Sequence, residues 1–169
     1  MVIVPFYLSH FKNRKEPYMI KRILLSLLVV MPLLAKHNPQ DDDLMAKLNK
    51  LEQIKKEIDK KEKYIDKLIS ESSIIFNYMG DDQAQKELIL SEGSKLERHI
   101  VHALQTNTNI EQALKEPLCP AITDHRNELD RMQNIIVRVC MEYFLLKGFY
   151  QLYSDIASQI VKIQLEIIK

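Results

Sequence analysis

Cys119 and Cys140 are the two cysteines of the chain, and they could form a covalent cross-link. In an oxidising compartment, a pair of cysteines favours a disulfide. A last helix that begins at residue 124 would place Cys140 about 24 Å from its start. The preceding chain and the bond together reach only about 23 Å. A disulfide therefore requires a helix that begins later, near Leu129, and otherwise both residues are ordinary thiols.

His99 and His102 lie three residues apart on a predicted helix, so they face the same way. That spacing can hold a metal ion, but the sequence offers no third ligand at a known spacing and no HExxH motif. We predict surface or half-buried histidines and no metal site. The chain also has no glycine-rich phosphate loop, GxSxG or CxxC motif. The sequence therefore predicts no cofactor and no enzymatic activity.

Two long helices account for most of the apolar periodicity. The first, about residues 42 to 78, would begin at the acids Asp41–Asp43 and end at a C-cap, Gly80. Seven of its ten heptad a and d positions are aliphatic. The last helix, about residues 124 to 168, has apolar or aromatic residues at eleven of twelve such positions.

Shorter pieces connect these helices. We predict a helix capped by Asp81–Asp82, an interruption at Gly93, and a second helix begun by the capping box Ser94–Glu97. A turn at 106–109, a brief helix capped by Asn109 and an extended loop at 116–120 follow. The predicted fold is therefore all-α, an elongated helical bundle with two long helices and a small helical appendage between them. Residues 36–169 would form one domain.

Charged residues constrain what the helices can contact. The nearly all-apolar segment Ile135–Phe149 carries Arg138, Glu142 and Lys147, which argues against a membrane span and for burial among other helices. Arg138 and Glu142 are four residues apart and could pair. Lysines in the stretch 47–68 alternate with acids, and the formal net charge is +1. These features predict a solvated helix face and no nucleic-acid partner.

The last helix carries an aromatic stripe, which consists of Tyr143, Phe144, Phe149, Tyr150 and Tyr153. Side chains at this spacing usually belong to a core. The alternative is a partner-binding surface formed by Tyr143, Tyr150 and Tyr153, because tyrosines are favoured where one end of the side chain stays in water.

The apolar segment 23–35 follows Lys21 and Arg22 and ends at Ala35. Thirteen residues are too few for a bilayer that needs about 20, but they suit the apolar region of a signal peptide. We predict that residues 1–35 are a signal peptide with an upstream extension, that translation starts at Met19, and that the mature chain is periplasmic or secreted. The alternatives are an uncleaved anchor or a buried helix of a cytosolic protein.

The chain resembles the minor pilus-tip subunits of bacterial type IV secretion systems. The resemblance rests on a signal segment, the run LEQIKKEIDKKEKYIDKL, a short helical middle and a long final helix. It implies an exported three-helix bundle with a smaller appendage, associated with pilus assembly and host-cell contact. No functional residue is carried over from that family.

Taken together, these features predict an exported helical interaction protein of a bacterial cell envelope, such as a component of a type IV secretion or surface assembly. Its partners would be proteins, and it would meet the membrane only through its signal segment. The alternatives are a cytosolic helical adaptor or secretion chaperone and, less in keeping with the motifs, a small helical enzyme.

Overall fold

The computed structural model describes residues 39–79, 82–112 and 114–167, so the predicted signal peptide, Met19 and the proposed C-cap Gly80 lie outside the described residues. Three α-helices follow one another: α1 (Pro39–Tyr78), α2 (Gln83–Thr106) and α3 (Arg126–Ile167). A short 3-10 helix, Ile110–Gln112, lies between α2 and α3. The described ranges contain no β-strand, and the prediction of an all-α bundle with two long helices and shorter elements between them is confirmed.

The chain divides into two compact units. The first spans Lys61–Leu146 and contains the second half of α1, all of α2 and the first half of α3. The described part of the second comprises residues 39–60 and 147–167, from the remaining parts of α1 and α3. Each unit buries aliphatic side chains from every α-helix that contributes to it.

Helix α1 begins at Pro39, three residues before the predicted start. Proline suits the first turn of a helix because it lacks the N–H that would stay unpaired there. Asp42 and Asp43 therefore lie in the first turns of the helix, where their negative charges interact favourably with the positive end of the helix dipole. Asp43 also forms an ion pair with Lys47 at 3.3 Å. All seven aliphatic a and d side chains of α1 are buried, as the heptad pattern predicts.

Helix α2 is continuous, so the predicted interruption at Gly93 is wrong. Gly93 is buried inside the helix, and Ser94 does not cap a new one: its hydroxyl donates to the carbonyl of Leu90 at 2.8 Å. Burial of one face of α2 outweighs the roughly 1 kcal/mol that an interior glycine costs a helix. The N-cap at Asp82 is confirmed, because its carboxylate accepts from the backbone N–H of Ala84 at 2.9 Å.

Helix α3 begins at Arg126, two residues after the predicted start. Its middle is not uniformly buried as the sequence suggested, since Arg138 and Lys147 are exposed. Glu142 is half-buried and pairs with Lys61 of α1, so the predicted pairing with Arg138 is wrong. Lys61 occupies a heptad d position of α1, and this ion pair gives its charge a partner within the first unit. None of the described helices combines the length and apolarity that crossing a membrane requires.

Candidate functional site

One face of α3 presents a row of apolar side chains to solvent. Met141, Phe144, Leu145 and Leu152 are 41%, 46%, 49% and 40% exposed, and Gly148 lies between them. At 100° per residue these five positions fall on one side of the helix. This α3 face is defined by one continuous helix, which by itself fixes the spacing of its side chains.

The α3 face lies roughly opposite the a and d positions that the sequence pattern singled out. Leu146 and Val139, which belong to that pattern, are buried. Helix α3 is therefore apolar on two sides, and the described parts of the chain cover only one of them. Grouped exposed apolar side chains on a soluble domain mark an interaction surface more often than isolated ones do.

Ile74 and Tyr78, one turn apart near the end of α1, are also exposed. They form a smaller patch of two side chains. The α3 face is longer and has regular spacing, which is what a second helix requires of a docking surface.

Gly148 has no packing role in the described structure, because a Cβ added there meets nothing within 4 Å. Glycine inside a helix costs backbone entropy, so we expect Gly148→Ala to raise the free energy of unfolding by about 0.5–1 kcal/mol. Urea denaturation followed by circular dichroism measures this difference. A destabilised Gly148→Ala variant would mean that the glycine is needed by the folded chain itself.

The three tyrosines proposed as a partner surface lie in different environments. Tyr143 and Tyr150 are half-buried, and Tyr153 is 1% exposed. Burial, followed by the nearby carboxylates of Asp66 and Glu62, raises the pKa of Tyr143 to about 12, so this side chain lies beside α1. Tyr153 is therefore a core residue, and a partner cannot reach its side chain in this fold.

The hydroxyl of Tyr153 is buried and has no hydrogen-bond partner among the described residues. Burial also raises the pKa of this phenol. An unpaired buried hydroxyl costs stability, so we expect Tyr153→Phe to stabilise the protein by about 1 kcal/mol. Thermal unfolding of the two proteins tests this. A loss of stability would show that the hydroxyl does have a partner in solution.

The two cysteines are free and buried. Burial, with a smaller contribution from Glu92, raises the pKa of the Cys119 thiol to about 11. Burial and the nearby Glu97 raise the pKa of Cys140 to about 12. Both thiols are therefore protonated at neutral pH and are poor nucleophiles.

His99 and His102 are both exposed on α2. In the part of the chain that the structure describes, no three His, Cys, Asp or Glu side chains are grouped as a metal ion would require.

The aromatic stripe predicted from the sequence contains Phe144 of the α3 face, but the aliphatic members of that face were not identified. The available signal was the spacing of Met141, Leu145, Gly148 and Leu152, which recurs at helical intervals opposite the buried seam. Periodicity alone cannot tell which of two apolar stripes a fold will cover.

Comparisons with protein-family models, with curated proteins and with solved structures found no match for this chain. The fold and the α3 face define the class of protein: an all-α bundle whose last helix carries an apolar surface that no other described element covers.

Proposed function

We propose that the protein is an exported interaction protein of a bacterial cell envelope and that it binds another protein chain through the α3 face. The exposed apolar row on α3 is the observation that carries the binding role. Export is supported by the sequence, where a short apolar segment follows a basic pair and precedes a polar stretch.

The physical case for binding is the cost of leaving apolar side chains in water. Covering a large side chain contributes about 25 cal/mol for each Å² of apolar surface removed from water. Phe144 and Leu145 are nearly half exposed, so they have the most to gain from a partner. An aromatic residue beside aliphatic ones is a common centre for such an interface.

Membership of a secretion or surface assembly is the finer part of the proposal. It is supported by the resemblance to pilus-tip subunits of type IV secretion systems. Subunits of an assembly can contact one another through preformed surfaces, and a helix face can serve as one.

Recovery of the native protein from fractionated host cells tests the export half of the proposal. We expect it in the periplasm or medium with an N-terminus near Lys36. A chain that starts at Met1 or Met19 and stays in the cytosol would instead favour an adaptor or secretion chaperone.

Site-specific photo-crosslinking in the same cells tests the binding half. A photoreactive amino acid at Leu145 should give a discrete cross-linked product, whereas one at Gln105, which is exposed on α2, should not. Phe144→Lys should abolish the product from position 145 without altering the helical circular dichroism spectrum. Equal products from both positions would contradict a specific role for the α3 face.

A further inference from the structure

We propose that the occupant of the α3 face is a second copy of this chain, with the two α3 helices antiparallel about a two-fold axis. This inference rests on the proposed binding role of the α3 face and names its partner. Two-fold dimers use the same patch on both subunits, so such a patch must be complementary to itself.

The side chains along the α3 face meet this condition. A two-fold axis between residues 146 and 147 places Met141 opposite Leu152 of the second copy. It also places Leu145 opposite Gly148. A large side chain therefore faces the position that has none, which is how packed helices interdigitate.

Gly148 gains an explanation from this arrangement. It lowers the stability of α3 without a packing reason in the described structure. Glycine permits close approach of another backbone. Two symmetric Leu145–Gly148 contacts near the axis would let the helices approach closely at the centre of the interface.

The charges at the ends of the α3 face are also self-complementary. Arg138 is exposed and has no ion pair within the described ranges. The antiparallel register brings it to the height of Asp155 of the second copy, once at each end. The Asp155 carboxylate accepts from Gln151 at 2.9 Å and retains further lone pairs for a guanidinium. A parallel pair would place Arg138 beside Arg138 and Asp155 beside Asp155, which is repulsive.

The size of the face predicts a weak dimer. A standard interface buries about 800 Å² on each partner. Four partly exposed apolar side chains and a charged residue at each end fall below that area. We therefore expect a reversible dimer that forms in the micromolar range or above, rather than an obligate one.

Sedimentation of the full 169-residue chain over a range of concentrations measures this association. Arg138→Glu and Asp155→Arg should each weaken it about tenfold, because each reversal acts at two symmetric sites. The double variant should recover most of the loss. Lys147→Glu, a reversal at an exposed position off the α3 face, should leave the association unchanged.

Cross-linking between cysteine variants fixes the direction of the helices. Asn134 and Gln159 are exposed and would lie opposite each other in the antiparallel register. A mixture of Asn134→Cys and Gln159→Cys proteins, treated with a short bismaleimide, should give mixed dimers, whereas each variant alone should not. The wild-type chain is the control for its two buried thiols.

Self-linking of either variant alone, a chain that stays monomeric at high concentration, or a dimer insensitive to both charge reversals would each overturn the inference. The proposed function fails differently. A monomeric chain that is still cross-linked at Leu145 to another protein in cells would remove the second copy and keep the binding role of the α3 face.

Discussion

Replacing Gln133 with leucine is expected to lower the free energy of unfolding by about 2–3 kcal/mol. Gln133 is 7% exposed on α3 and holds the loop that precedes that helix. Its amide oxygen accepts from the backbone N–H of Leu118 at 3.2 Å, and its amide nitrogen donates to the carbonyl of Glu116 at 3.1 Å. Leucine fills a similar volume but leaves the buried Leu118 N–H without a partner, which is the costly outcome for a hydrogen bond.

Urea denaturation of the wild type and the variant measures the difference. Gln151→Leu is the matched control, because Gln151 is exposed on the same helix and its amide donates to Asp155, one turn further along α3. It should change stability by less than about 0.5 kcal/mol. An equal loss in both variants would mean that replacing any glutamine of α3 has this cost, and that the loop contacts contribute little.

Arg126 secures the same loop from its other end. One of its guanidinium nitrogens lies 2.9–3.0 Å from the carbonyl oxygens of Leu118, Cys119 and Ile122. Cys119 adopts a left-handed backbone conformation with φ 49°, which is uncommon for a residue with a side chain. Two side chains of α3 therefore hold the loop in a conformation that its own sequence does not favour.

The loop between α2 and α3 was predicted only in part. Pro117 and Pro120 correctly indicate a loop, because proline restricts both itself and the residue before it. The prediction that this loop is extended is wrong, since Cys119 adopts a left-handed conformation and the Ile122 N–H donates to the Cys119 carbonyl in a turn. Nothing in the pattern identified Gln133 or Arg126 as its supports. The sequence shows only that a glutamine lies on a predicted helix. Its burial and its role become visible only when the structure shows which segment packs beside it.

The long helices were predictable because their information is local. In α1 every aliphatic a and d position is buried, and even Ser72, the polar residue in that series, has a fully buried side chain. The boundaries of the two long helices differ from the predicted ones by at most three residues. Heptad spacing specifies a buried seam whatever the partner is.

Two of the errors arose where one side chain had two possible bonding partners. Ser94 can begin a helix or bond back to the preceding turn, and burial of the residues around it selected the second. Glu142 had a partner four residues away and another, Lys61, on a different helix. The choice between these two partners of Glu142 depends on how the helices pack, and a single sequence does not show that packing.

Stability should depend on pH through Glu97, and Glu97→Gln should remove that dependence. Glu97 is half-buried on α2, and neither a hydrogen bond nor an ion pair to it occurs among the described residues. Burial raises the pKa of its carboxyl to about 7, against a smaller opposing effect of Arg98. Cys140 of α3 lies close enough for the Glu97 charge to raise the pKa of its thiol.

The direction of the effect follows from the raised pKa. The folded chain binds a proton at Glu97 more tightly than the unfolded chain, whose carboxyl has its ordinary pKa near 4.5. The contribution of Glu97 to stability is therefore fully present below about pH 4.5 and is lost as the pH rises through about 7. The folded protein at pH 8 must hold an unpaired, partly desolvated carboxylate.

Glutamine has nearly the same shape and no charge. We expect Glu97→Gln to stabilise the protein by about 1–2 kcal/mol at pH 8, after allowance for solvent around a half-buried group, and by little at pH 5. Urea denaturation of both proteins at pH 5, 6, 7 and 8 gives this difference as a curve, which cancels the titration of groups common to both. Glu87→Gln, at an exposed position of the same helix, should give a flat difference. If the Glu97→Gln curve is equally flat, water solvates the Glu97 carboxylate in the folded state and burial does not shift its pKa.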